Sequence, residues 1–217
     1  MKYIFLITIG VVLLTSCYRE PTRMEKFYLV YKIDGVQFSY SGGELTTTPW
    51  FTETQGRTSY PDNDTIFIYK GAGFNSTLMP DVFRSSLYIE FNKVITKQFE
   101  DSILTNNLGM DFLNEIVKVQ SYGYFSQREN IDAIEINISY SDDTSGYLTA
   151  IEPFYYKRNL NDPRFNFEVT EISDYEGEFG TSYKLVTTKF NCVLYDDKGD
   201  SITLTDGEMK SLYSAYQ

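Results

Sequence analysis

The chain contains no histidine. That removes the usual neutral-pH general base, the Ser-His-Asp and Cys-His arrangements, and imidazole metal ligands. What remains for chemistry is carboxylates, tyrosines and two cysteines. Thirty Asp and Glu side chains are present, many of them gathered in short polar turns. Asp62/Asp64, Asp142/Asp143 and Asp196/Asp197/Asp200 are oxygen donors of the kind that Ca²⁺ takes. The densest of these, Asp196 to Asp200, sets three carboxylates around Gly199, but no distal glutamate follows at EF-hand spacing. Asp, Asn and Gly are also the ordinary residues of β-turns, and no bound metal or other cofactor is expected. Paired carboxylates can hydrolyse glycosides without histidine when they face each other about 5 or 6.5–9.5 Å apart. Sequence does not show which acids face each other. Solvated surface charge is the default reading of so many acids, so a carboxylate-pair glycosidase stands as a remote alternative to a chain that is not an enzyme. Gly71-Ala72-Gly73 lacks the third glycine and the Lys-Ser/Thr of a phosphate loop.

The aromatic residues are a second chemical resource. There are 19 Tyr, 16 Phe and one Trp. Trp50, Phe51, Tyr60, Tyr155 and Tyr156 fall in or beside turn-rich stretches, or in adjacent pairs where one ring must face outward. Exposed rings beside acids and amides can stack on sugars, so these five are candidate ligand-binding residues. The alternative is that they pack in the core or lie along a sheet, as amphipathic Tyr often does.

The third resource is Cys17. Lys2 is followed by an almost unbroken apolar run from Ile4 to Leu14, too short to span a bilayer, which takes about 20 residues. The run ends in Leu14-Thr15-Ser16-Cys17. This pattern reads as a signal peptide over residues 1–16, and its last four residues resemble the lipobox of bacterial lipoproteins. The resemblance implies cleavage before Cys17 and acylation of its sulfur (palmitate or a similar chain) and of its amino group. Several acyl chains anchor where one does not, since each buried methylene contributes about 0.8 kcal/mol. In that family an aspartate directly after the cysteine causes inner-membrane retention; Tyr18 stands there, which implies the outer membrane. Only Glu20 of the next residues is acidic, beside Arg19, so the face of the membrane stays open.

Asp64-Thr65-Ile66, Asp101-Ser102-Ile103 and Asp200-Ser201-Ile202 each resemble the Asp-Ser/Thr-aliphatic sequon of some periplasmic O-glycosylation systems. The resemblance implies exposed hydroxyls at Thr65, Ser102 and Ser201. All three also suit a turn running into a strand.

These residues need a scaffold. Removal of residues 1–16 leaves 201 of 217 residues, enough for one sizeable domain. Residues 17–26 read as a lipidated tether and 27–217 as a single extracytoplasmic domain, with no Pro/Gly/Ser-rich linker dividing it. The formal charge is −11; loss of Lys2 with the signal makes it −12. That argues against a nucleic-acid partner, which needs a basic footprint, and against an anionic lipid surface as docking face. Cys192 is then the only thiol, so the domain holds no internal disulfide, and its place in an alternating segment predicts burial.

The alternation is mostly of period two. Phe27 to Ile33 and Val36 to Tyr40 flank Asp34-Gly35, a strong hairpin signal. Glu44 to Asp64 reads as one short strand and a long loop. Thr65 to Lys70, Ser85 to Phe91, Ile134 to Tyr140, Tyr147 to Tyr156, Phe165 to Val169, Tyr183 to Tyr195 and Ser201 to Thr205 read as strands. Around residues 96–118, Phe99 and Ile103, then Leu113, Ile116 and Val117, repeat at helical spacing with Gly109 between them. After Thr205 the chain reads either as a capped helix over Met209 to Tyr216 or as a strand bulged at Gly207. About ten strands with short turns predict a mainly-β fold, an antiparallel β-sandwich or barrel-like sheet with a short helical insertion. Lys189 to Asp197 with Ser201 to Gly207, and Lys32-Ile33-Asp34-Gly35-Val36, resemble the hairpins of uncharacterised all-β outer-membrane lipoproteins of Gram-negative bacteria. That resemblance implies no active site. The expected role is non-catalytic: glycan or small-ligand binding through loop aromatics, or a structural or accessory part of an envelope protein complex.

Overall fold

The computed structural model describes residues 27–42, 51–59, 64–75, 85–124, 132–140, 147–149, 163–177, 180–195 and 200–215. The fold is a mainly antiparallel β-sandwich with a short helical insertion. Its strands are β1 (Phe27–Ile33), β2 (Val36–Gly42), β3 (Phe51–Ser59), β4 (Thr65–Asn75), β5 (Ser85–Thr96), β6 (Gly123–Tyr124), β7 (Asp132–Tyr140), β8 (Tyr147–Thr149), β9 (Asn166–Glu176), β10 (Ser182–Tyr195) and β11 (Ser201–Ser214). Helices α1 (Lys97–Thr105) and α2 (Gly109–Ile116) lie between β5 and β6.

One hydrogen-bonded path runs β2-β1-β11-β10-β8-β7-β5-β4-β3, with β9 beside β10 and β6 parallel to β7. It folds into two layers. The first is β3-β4-β5-β7 and the second β2-β1-β11-β10-β9. Their inner faces meet through aromatic rings: Phe91 of β5 packs edge-on against Tyr213 of β11 at 5.5 Å and Phe167 of β9 at 5.9 Å. Phe167 in turn stacks on Phe190 at 6.2 Å. Alternation builds this core directly. In β1, Phe27, Leu29, Tyr31 and Ile33 are buried while the residues between them are not. In β7, Ile134, Ile136 and Ile138 do the same.

Backbone links join the layers along one side. The Tyr122 amide donates to the Phe167 carbonyl and the Val169 amide to the Gln120 carbonyl, both at 2.9 Å. Along the other side a buried cation does it. Lys70 sits at an inward position of β4 and is 3% exposed. Its Nζ lies 2.8 Å from Glu53 Oε1 of β3, and 3.0 Å from both Gln55 Oε1 and Ser214 Oγ at the end of β11.

The β1-β2 turn has both residues at positive φ, Asp34 at 50° and Gly35 at 81°, as the hairpin signal requires. Several segments depart from the sequence reading. Phe51–Ser59 is a nine-residue strand rather than a short one in a loop. It pairs with β4 along its whole length through the backbone, which asks little of its polar side chains. β4 continues through Gly71-Ala72-Gly73 to Asn75. β11 is the bulged strand and not a helix: it runs to Ser214, and its pairing with β10 slips between Phe190 and Cys192, where Asp206 takes φ 52°. In the insertion, Ile103, Leu113, Ile116 and Val117 are buried as expected, but Phe99 is 46% exposed. Glu100 turns inward in its place and meets Arg57 of the edge strand β3 at 3.1 Å. Thr96 caps α1, its hydroxyl accepting from the Phe99 amide at 3.2 Å. Cys192 is buried in β10.

Candidate functional site

Since side chains fill the space between the layers, a binding surface has to be sought on the outward faces. The second layer carries a hollow of about 350 Å³ lined by Asn166, Glu168, Lys189, Phe190, Asn191, Asp206, Gly207 and Glu208. Three strands supply it. Register sets Glu168 of β9 opposite Lys189 of β10, and Lys189 opposite Glu208 of β11. The result is a row of acid, cation and acid across the sheet, with Lys189 Nζ 4.0 Å from Glu208 Oε2. One step along, Asn191 faces Asn166.

The β11 bulge makes the hollow. At Asp206 the chain turns out of the ladder, and its amide donates to Asn191 Oδ1 at 2.9 Å. Its carboxylate pairs with Lys32 of β1 at 2.9 Å. Gly207 follows, where a Cβ would stand 2.4 Å from the Phe190 ring and 2.7 Å from the Phe190 carbonyl. Phe190 and Gly207 are both buried, in phase with the inward residues of their strands, so the glycine lets the Phe190 ring lie across β11 on the core side, beneath the hollow. The far wall is held from β1, where the Tyr28 hydroxyl donates to Glu208 Oε1. Burial, then the neighbouring Glu208 carboxylate, pushes the Tyr28 hydroxyl well above its ordinary value. Tyr28 thus stays a neutral donor that fixes the carboxylate.

The hollow offers carboxylates, amides and one ammonium around an open floor. That set accepts from and donates to hydroxyl groups. Glu168 and Glu208 stand two strands apart, about 10 Å from backbone to backbone, with Lys189 between them. Among the described residues no group of three or more His, Cys, Asp or Glu is placed to hold a metal ion.

Of the residues singled out in the sequence, Cys17, Trp50, Tyr60, Tyr155, Tyr156, Asp196 and Asp197 lie outside the described residues. Phe51 opens β3, paired with Phe74. Asp200 is exposed next to Ser201, which is exposed at the start of β11. Ser102 is exposed on α1 and accepts from Asn106 Nδ2 at 3.3 Å; Thr65 is half-buried at the start of β4. The residues of the hollow were not among these candidates. Their polar, outward positions are visible in the sequence, but the register that gathers them is not.

No family model matches the chain, and no curated protein or solved structure matches it either. Fold and site therefore define a class, a mainly-β sandwich with a polar hollow on one outer face. Among the described residues no helix is long and apolar enough to cross a membrane.

Proposed function

We propose that this chain is an outer-membrane lipoprotein, anchored through Cys17, whose β-sandwich is a non-catalytic binding domain for a glycan or another small polyhydroxylated ligand. The observation that carries the ligand class is the hollow at the β11 bulge. Its lining is hydrogen-bonding side chains over a glycine floor, and its chemistry is that of hydroxyl recognition. The anchor rests on Leu14-Thr15-Ser16-Cys17. A ten-residue tether, 17–26, reaches about 35 Å when fully extended, which keeps the sandwich close to the membrane surface.

The test is thermal unfolding of a lipid-free form, residues 18–217, against a glycan panel. A ligand that binds only the folded chain, at 100 times its dissociation constant, adds about 2.7 kcal/mol. That raises the midpoint by roughly 5–11 °C at this size. Lys189→Ala is expected to abolish a shift that arises in the hollow. Absence of any shift across the panel would count against the ligand class. Labelling with a palmitate analogue, lost in Cys17→Ala, tests the anchor separately.

A second reading has its own support. Phe99, Leu104, Leu108 and Val119 are exposed large apolar residues, all within or just after the helical insertion. Exposed apolar clusters mark protein contacts, and this one suits an accessory subunit of an envelope complex. Cross-linking from α1 in native membranes checks it: one dominant protein product is expected, and none would remove it.

A further inference from the structure

The outward face of the first layer carries a different arrangement. Leu87, Ile89 and Phe91 of β5 point into the core, so Tyr88, Glu90 and Asn92 point outward. Register sets Glu90 directly opposite Glu135 of β7, and Tyr88 opposite Asn137. Carboxylates directly opposite on neighbouring strands have Cβ atoms about 4.5–5.5 Å apart and repel. Glu135 is half-buried and accepts from Asn137 Nδ2 at 2.8 Å. Burial pushes its carboxyl up despite that bond.

Two tyrosines flank the pair, and glycines set their posture. A Cβ on Gly73 would lie 2.5 Å from the ring of Tyr88, and one on Gly56 2.2 Å from the ring of Tyr69. Each ring therefore lies down across the glycine of the next strand, where any other residue would prop it up. Both tyrosines are half-buried, with one side of the ring on the backbone. Tyr69 and Gly73 are four residues apart on β4, so the two rings are about 13 Å apart along the sheet.

Asn92 is the odd member of this face. It is 4% exposed, yet neither its Nδ2 nor its Oδ1 has a hydrogen-bond partner. A buried amide with donor and acceptor both unmet is costly and uncommon. It sits one residue pair from the carboxylates, opposite Tyr69. Flat rings stack on the apolar face of a pyranose; carboxylates accept from sugar hydroxyls; an amide both donates and accepts. The two acids and the net charge of −11 disfavour an anionic sugar.

We infer that the outward face of β3-β4-β5-β7 is a platform for a neutral oligosaccharide, with Tyr69 and Tyr88 stacking on its rings, Glu90 and Glu135 bonding its hydroxyls, and the unmet amide of Asn92 lying beneath them. The inference takes its ligand class from the proposed function and assigns it a surface separate from the hollow at Gly207. The ring spacing calls for an extended ligand rather than a single sugar.

The experiment uses the full chain in detergent with malto-, cello- and manno-oligosaccharides, and oligogalacturonate as the acidic counterpart. Calorimetry reads affinity. Carboxyl and tyrosine footprinting by mass spectrometry reads location. The expected result is binding of a neutral probe that protects Glu90, Glu135, Tyr69 and Tyr88. The acidic probe should bind at least about tenfold more weakly. Tyr88→Ala and Glu135→Gln should each weaken the neutral probe by about tenfold or more, with cooperative unfolding of each variant confirming its fold. Should Tyr88→Ala fail to fold, Glu135→Gln, which keeps the side chain's shape, decides. Binding that protects Glu168 and Glu208 and is unchanged by Glu135→Gln would overturn the platform and leave the proposed function standing. No binding by any probe would overturn both.

Discussion

Lys70 carries the most demanding prediction for the fold. Its ammonium is the only cation at an inward position of the described β4, and it holds β3 and the end of β11 together. Nζ contacts Glu53 Oε1 at 2.8 Å, Gln55 Oε1 and Ser214 Oγ at 3.0 Å, and the Ala215 carbonyl at 3.3 Å. Glu53 Oε1 also accepts from the Ser214 amide at 2.6 Å. Lys70→Met keeps the aliphatic volume and removes the charge. It strands Glu53 without its cation and leaves three oxygens short of a donor. Removing one partner of a buried pair costs about 3–5 kcal/mol. The Glu53 side chain is 24% exposed, so water relieves part of its charge and the low end, about 3 kcal/mol, is expected. At roughly 2–4 °C per kcal/mol, the unfolding midpoint drops by about 6–12 °C. Urea unfolding of residues 18–217 measures this, with the slope unchanged because the surface exposed is unchanged. The double variant Lys70→Met with Glu53→Leu should recover part of the loss, since it removes the stranded carboxylate. A cost under about 1 kcal/mol for Lys70→Met, the range of an exposed ion pair, would refute the reasoning.

Two further outcomes follow from buried groups. Burial holds the Glu135 carboxyl above its ordinary value of 4.5 in the folded chain. Below that value both states are protonated and nothing is lost; as pH rises through the raised value the unfolded chain ionises first, so stability falls. Glu135→Gln should remove that slope and be the more stable form at neutral pH, which urea midpoints taken from acid to neutral pH will show; a parent–variant difference constant across that range would contradict it. Cys192 is fully buried, so in residues 18–217 its labelling by a thiol reagent should run at the rate of opening of β10. Labelling on mixing in native buffer would place the thiol at the surface instead.

Much of the sandwich was legible from period-two alternation, because one face of most strands is buried and the other wet. β1 and β7 show it, and Asp34-Gly35 marks its own turn. The misread segments are those where side chains do not carry the signal. β3 is Thr, Glu, Gln, Gly, Arg and Ser after Phe51. As an edge strand it is held by backbone pairing to β4, and no apolar alternation announces it. The end of β11 satisfied two local codes at once, since Thr205 and Glu208 suit a helix cap as well as a bulged strand. Pairing with β1 and β10 on both sides decided it, and that is information from residues far away in the chain. Phe99 and Glu100 exchanged roles for a similar reason: Arg57 of β3 gives Glu100 an inward partner that the helix itself does not reveal.

Both surfaces argued for binding arise from register, which is why single residues did not point to them. Glu168, Lys189 and Glu208 are some twenty residues apart in sequence and adjacent in the sheet, as Glu90 and Glu135 are across a longer gap. What the sequence does show at each is a glycine inside a strand. Gly207 lets the core ring of Phe190 lie across β11, and Gly56 and Gly73 let Tyr69 and Tyr88 lie down. A glycine in a strand interior weakens it and needs a reason, often a bulge or a close approach. At Gly207 that reason is the Phe190 ring inside the sandwich, and at Gly56 and Gly73 it lies on the outward face of the first layer. Strand glycines paired across the ladder with outward tyrosines, Gly56 with Tyr69 and Gly73 with Tyr88, are the sequence signal for the proposed platform, whereas of the loop aromatics Trp50, Tyr60, Tyr155 and Tyr156 lie outside the described residues.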